Sequence, residues 1–168
     1  IGKHRSPGTP KTTLRDDGVT LIDGKPFFPI GIFGVTRCDF NNNDYEKCMQ
    51  DLKKTGFNLL HTYDRINCPD GDLYVATARK YGFKLWFEGR DPFKRQLLKK
   101  HIKNPAILAW YLGDDTSDYT YPARLLDLYD ASRSVDGSRL TCQADGPGAH
   151  RKVSQYRDFV LGSDVFMP

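Results

Sequence analysis

The sequence predicts an α/β fold built on a parallel sheet, and three observations predict it. Short, mostly apolar segments alternate with amphipathic helical stretches along nearly the whole chain. The junctions repeat one chemistry, a helix closed by glycine and followed by phenylalanine, at Gly56-Phe57 and again at Gly82-Phe83. The run Ile107-Leu108-Ala109-Trp110-Tyr111-Leu112 lacks polar alternation and fits a strand covered on both faces.

Taken in order, the head from Ile1 to about Thr13 is polar and rich in Pro, Gly and Lys. It reads as an arm over residues 1–18 with no core of its own, leaving residues 19–168 as the main domain. Val19 to Ile22 and Pro26 to Ile30 flank Asp23-Gly24, a type I′ turn signal, and predict a small N-terminal β-hairpin. Strands then follow at Pro29 to Phe33, Asn58 to Thr62, Lys84 to Glu88, Ile107 to Leu112, Leu140 to Ala144 and Phe159 to Phe166. Helical patterns run from Asp44 to Lys54, Asp70 to Tyr81, Pro92 to Ile102 and Tyr121 to Ser134, with a weaker one from His150 to Tyr156.

Such alternation allows an open doubly wound sheet or a barrel. An open nucleotide-binding sheet wants a glycine-rich loop after its first strand, and Gly31 to Arg37 holds only Gly31 and Gly34, with no helix opening on them. A barrel instead carries its chemistry on the loops after each strand. Polar residues collect there: Arg37 and Asp39, His61 and Asp64, Glu88 and Arg90, Asp114 and Asp115, Gln143 and Asp145, then Asp164. The fold expected is therefore an incomplete TIM-type (β/α)8 barrel of about six β/α units behind the hairpin.

Composition narrows the function classes. The net charge of +4 comes from 25 basic and 21 acidic residues, interspersed apart from a basic head (Lys3, His4, Arg5, Lys11) and the stretch Lys94 to Lys103, which is too mild for a nucleic-acid partner. No apolar run approaches the roughly 20 residues of a membrane span. His4, His61, His101 and His150 share no ligand spacing, so no metal is expected, and no motif asks for a cofactor. Cys38, Cys48, Cys68 and Cys142 are an even set without CxxC spacing. They are either free buried thiols or a partial disulfide set, for which Cys38 with Cys68 is the pairing expected. The first residue is Ile1 rather than Met, as in a processed chain or a piece of a longer one, and an extracellular or secreted setting is the expectation.

Three segments resemble a known family. Gly24 to Gly31 resembles the entry into the first strand of many barrel glycoside hydrolases, and Asp51 to Asn58 resembles their first helix and second strand. Asn104 to Asp115 resembles their fourth-strand signature, of the type W-x-x-x-[ND]-E. The resemblance, which covers roughly Leu21 to Pro168, is to the clan of retaining glycosidases with a (β/α)8 barrel. It implies a glycoside hydrolase-like site for a polysaccharide or oligosaccharide, with Asp115 in the acid/base position and Asp114 against the sugar. Asp115 departs from the pattern by one methylene, and an ångström of misplacement can cost about 100-fold in rate. The clan's nucleophile is a Glu on a seventh strand, whereas this sequence runs to Met167-Pro168 just after the sixth.

Retaining hydrolysis needs two carboxyls about 5–5.5 Å apart. Asp114 and Asp115 leave an extended strand on opposite faces and do not form that pair. Glu88 is the second catalytic candidate, against the plainer reading of a salt bridge to Arg90. Asp115 also suits a helix N-cap, since Thr116, Ser117 and Asp118 follow it. Tyr63, His61, Asp64, Gln143, Asp145 and Asp164 are the further substrate-binding candidates, while His61 reads equally as structural and Asp64 and Asp145 as turn formers. Trp86 and Trp110 are expected in the core. Tyr63, Tyr111, Tyr119 and Tyr121 offer ring faces on which a pyranose can stack. Two functions follow from the barrel, a glycosidase or a non-catalytic glycan-binding or structural subunit that kept the scaffold; an open sheet would instead make a ligand-binding domain of another kind. Under both, open edge strands predict self-association or a second chain completing the barrel.

Overall fold

The computed structural model describes residues 9–33, 44–62, 71–88, 95–146 and 156–167. These form two sheets. A small antiparallel sheet holds β1 (Thr12–Leu14), β2 (Thr20–Ile22) and β3 (Lys25–Pro26) in that order. A six-stranded parallel sheet follows strict chain order: β4 (Gly31–Ile32), β5 (Leu59–His61), β6 (Lys84–Glu88), β7 (Ile107–Tyr111), β8 (Leu140–Ala144) and β9 (Val165–Met167). Between them run α1 (Tyr45–Lys54), α2 (Gly71–Lys80), α3 (Arg95–His101), α4 (Thr116–Tyr119), α5 (Pro122–Val135) and α6 (Arg157–Val160). An open doubly wound sheet would reverse its strand order at a switch point, and this one does not. The sheet curls into an α/β half-barrel.

Local chemistry sets the boundaries. Asp44 caps α1 by accepting the Lys47 N–H at 3.0 Å, and Tyr45, Cys48, Met49 and Leu52 recur at helical spacing to meet the core. Gly56 (φ 91°) and Gly82 (φ 72°) turn the chain out of α1 and α2 in the left-handed region expected of them. Asp23 (φ 48°) and Gly24 (φ 82°) are both left-handed, as a type I′ turn requires. Asn58 fixes the first strand to the second. Its carboxamide accepts from Ile30 N–H at 2.7 Å and donates to the Phe28 carbonyl at 2.9 Å.

The sheet has two apolar faces. Towards the helices, Leu60, Leu85, Phe87 and Trp110 pack with Met49, Tyr74, Val75 and Ala78. On the inner face, Trp86, Ala109, Tyr111, Leu140, Cys142, Ala144, Val165 and Met167 form a second cluster. Cys48 and Cys142 are buried free thiols, and burial pushes the Cys142 thiol far up, out of reach of neutral pH. Cys38 and Cys68, the expected pair, lie outside the described residues.

Three elements differ from the sequence expectation. Thr12–Leu14, expected within a coreless arm, is a strand. Thr12 is buried where β7 and β8 begin: its hydroxyl donates to the Leu108 carbonyl and accepts the Leu140 N–H, both at 2.8 Å. A threonine can bridge two strands this way, so the hairpin gains a foothold that hydropathy does not reveal. Phe159 to Phe166, expected as one strand, is instead helix α6 followed by a turn and the short β9. Phe159 enters the core from that helix, beside Leu112 and Leu125. The weak helical pattern from His150 to Tyr156 falls mostly outside the described residues, and the helix present begins at Arg157.

Candidate functional site

The C-terminal ends of the parallel strands lie together, and their inner face carries an aromatic floor. His61 ends β5 and is buried between two rings. Phe33 stacks on it at 4.9 Å with planes 9° apart, and Tyr111 meets it edge-on at 4.1 Å. Trp86 is His61's partner across the ladder and lines a cavity of about 180 Å³ with Pro29, Gly31, Ile32, Phe33, Leu59 and His61. Phe33, which also lines this cavity, is 61% exposed. Trp110 lies in the core as expected; Trp86, expected there too, is only half-buried and faces the cavity.

The carboxylates stand around this floor. Glu88 ends β6 on the same face as Trp86 and is paired in register with Tyr111, about 4.8 Å away across the ladder. It is 3% exposed, and its N–H donates to Thr62 Oγ1 at 3.2 Å. Arg90, its expected partner, lies outside the described residues. Asp114 is half-buried and accepts the Tyr111 hydroxyl at 3.0 Å. Tyr111 therefore links the histidine on one side to this carboxylate on the other.

Asp115 differs from the extended geometry expected. Its backbone is left-handed (φ 44°, ψ 44°), which turns the chain sharply into α4. It occupies the N-cap position but makes no side-chain cap bond there. Its Oδ1 accepts instead from Gly146 N–H at 3.3 Å, and the residue is exposed. Of the two readings of Asp115, the capping one is not what its side chain does.

The remaining candidates divide. Asp145 is at the site end of β8, yet 2% exposed, with both oxygens occupied by Thr116 and Ser117. Gln143 is fully buried on the helix side, donating to the Phe159 carbonyl at 2.6 Å. Neither offers a free polar atom to the inner face. Asp164 stands at the opposite end of the sheet, because β9 begins after it. There it accepts from Thr141 N–H at 2.8 Å and Tyr129 hydroxyl at 3.1 Å, with Arg133 at 3.5 Å. Tyr63 and Asp64 lie outside the described residues. The exposed Phe33, which no sequence signal singled out, joins the site through its stacking on His61. Among the described residues, no group of His, Cys, Asp and Glu is arranged to hold a metal ion.

Neither a family model nor a curated protein matches this sequence. Solved structures do. The chain is similar to Parabacteroides merdae β-glucuronidase, with a TM-score of 0.66 and 17% identity over 94% of this chain and 22% of that one. It is similar also to a glycosyl hydrolase family 2 member from Bacteroides cellulosilyticus, with a TM-score of 0.65 and 14% identity over 94% and 24%. A third is the family 2 β-galacturonidase of Eisenbergiella tayi bound to galacturonate, with a TM-score of 0.59 and 19% identity over 82% and 28%. The chain thus spans about a quarter of the length of these enzymes, and what it shares with them is the fold.

Proposed function

We propose that the inner face is a carbohydrate site of the glycoside hydrolase kind, with Asp115 in the acid/base position and Asp114 against the sugar. The single observation carrying this is the convergence of an aromatic floor (Phe33, His61, Trp86, Tyr111) and three carboxylates (Glu88, Asp114, Asp115) at one end of the parallel sheet. Ring faces suit the apolar C–H faces of a sugar, and flanking carboxylates suit its hydroxyls. The glycosidase fold of the structural neighbours supports the same reading.

Catalysis of the retaining kind needs a second carboxylate about 5–5.5 Å from the acid. Glu88, at the end of the neighbouring strand β6, is the candidate for that role among the described residues, and a partner chain or residues outside those described are the other sources. A second reading is a glycan-binding subunit without turnover, in an extracellular setting. One observation favours it: Asp115 is a short side chain tied by Oδ1 to the Gly146 N–H, a poor start for reaching a glycosidic oxygen.

The test is a glycan array together with turnover of a panel of aryl glycosides. The catalytic reading expects turnover that Asp115→Asn lowers at least about 100-fold with the fold intact. Unchanged turnover in that variant removes Asp115 from the mechanism. Binding without turnover selects the second reading, and neither binding nor turnover overturns the carbohydrate site.

A further inference from the structure

Asp115 stands at the N-cap of α4, yet the capping is done from another strand. The Asp145 carboxylate, buried at the end of β8, accepts the Ser117 N–H at 3.0 Å and the Thr116 hydroxyl at 3.3 Å through Oδ2. Through Oδ1 it accepts the Ser117 hydroxyl at 2.7 Å. The next residue completes the grip, since Gly146 N–H is the donor to Asp115 Oδ1. Residues 145 and 146 therefore hold both sides of the turn, its helical end through a side chain and its carboxylate through the backbone.

The turn is left-handed and tightly packed where this grip holds it. Asp115 is in the left-handed region, which among residues with a side chain Asp and Asn visit most readily and which still benefits from local hydrogen bonds. Gly113 is packed so closely that a Cβ there would lie 2.7 Å from Thr116 Cγ2. The end of β8 is itself pinned, Ala144 N–H to the Gly113 carbonyl at 3.1 Å and Asp145 N–H to the Met167 carbonyl at 2.9 Å. The anchor is thus fixed to strands on either side, and the turn is fixed to the anchor.

We propose that Asp145 is a positioning residue for the site: it caps α4 in place of Asp115, so that the Asp115 carboxylate is left at the solvent side of the strand ends. This rests on the proposed sugar site for its purpose, but not for its geometry. Asp145 needs no contact with ligand, because its oxygens are already engaged. Nor is its charge the essential property. An asparagine can accept the Ser117 N–H with its oxygen and donate to Ser117 Oγ with its amide, since a hydroxyl takes either role. An alanine can do neither.

The experiment compares Asp145→Ala, Asp145→Asn and Ser117→Ala in the full chain. The first readout needs no ligand: the Asp115 Cα and Cβ chemical shifts, which report its backbone conformation. Asp145→Ala is expected to move them away from left-handed values, Asp145→Asn to preserve them, and Ser117→Ala to move them part of the way. Met49 and Leu60, in the helix-side core, keep their shifts throughout. Should Asp145→Ala fail to fold, Ser117→Ala carries the same comparison against Asp145→Asn. Unmoved Asp115 shifts in both Asp145→Ala and Ser117→Ala would overturn the proposal. The second readout uses whichever glycan the wild-type chain binds on the array. Asp145→Ala should weaken it about tenfold while Asp145→Asn stays near wild type; equal loss in both would overturn positioning in favour of direct contact. If no glycan binds the wild-type chain, the sugar reading falls, and the chemical shifts still decide the role of Asp145.

Discussion

Arg139 is fully buried, and its guanidinium is engaged by one buried carboxylate and three backbone carbonyls. Its guanidinium donates to Asp136 Oδ2 at 2.6 Å, and to the carbonyls of Ile102 at 2.5 Å, Asn104 at 2.8 Å and Ile107 at 3.1 Å, above the ring of Trp110. Trp110 Nε1 donates to the same Asp136 oxygen at 2.9 Å. Removing one partner of a buried pair strands the other, so Arg139→Met should destabilise the chain by about 3–5 kcal/mol in urea unfolding. Pairing it with Asp136→Asn should recover part of the loss. His101 gives a pH-dependent case. It is buried against Phe87, and burial holds its imidazole below the ordinary value, with Lys100 acting the same way and Asp72 opposing. The unfolded chain takes up this proton near pH 6.5, before the folded one does. Its effect on stability is therefore absent above that pH and grows unfavourable as pH falls through it. The urea midpoint of wild type relative to His101→Gln should be level above about pH 7 and fall as the pH drops below about 6.5. Neither residue was legible in sequence as a structural group. A charged residue at a helix–strand junction reads as surface until the fold shows which carbonyls surround it.

Among the elements, α6 and the turn after it show why pattern alone misplaced a strand. Phe159, Val160 and Leu161 make an apolar run that suits either state. What selects helix is the fit of Phe159 beside Leu125, with Gly162 passing so close that a Cβ there would lie 2.4 Å from Leu125 Cγ. Gly162→Ala should therefore cost about 1–3 kcal/mol by overpacking, read as a lower thermal midpoint. A neutral result would show that α5 can move away. The turn and cap signals fared differently: Asp23-Gly24, Asp44, Gly56 and Gly82 act locally, and all hold the geometry their residue types favour.

For the whole molecule, the sheet order β4 to β9 leaves the outer edges of the first and last strands without a neighbouring strand among the described residues. Phe28 at 80% and Ile30 at 46% exposure lie beside the first of these edges. Open parallel edges next to apolar side chains favour pairing with another chain. Light scattering after size exclusion should give a mass above 19.2 kDa, concentration-dependent, and a stable non-aggregating monomer would count against it. The alternation of strand and helix, the turns, and the segments buried on both faces were all readable from the amino-acid order. They follow from periodicity and from residues whose effect reaches only a few positions. The folded chain alone reveals that Thr12 bridges β7 and β8, that Asp145 rather than Asp115 caps α4, and that Asp164 stands at the far end of the sheet. Each of these is a hydrogen bond across tens of residues, and a polar side chain carries no mark in the sequence of which distant partner it will meet.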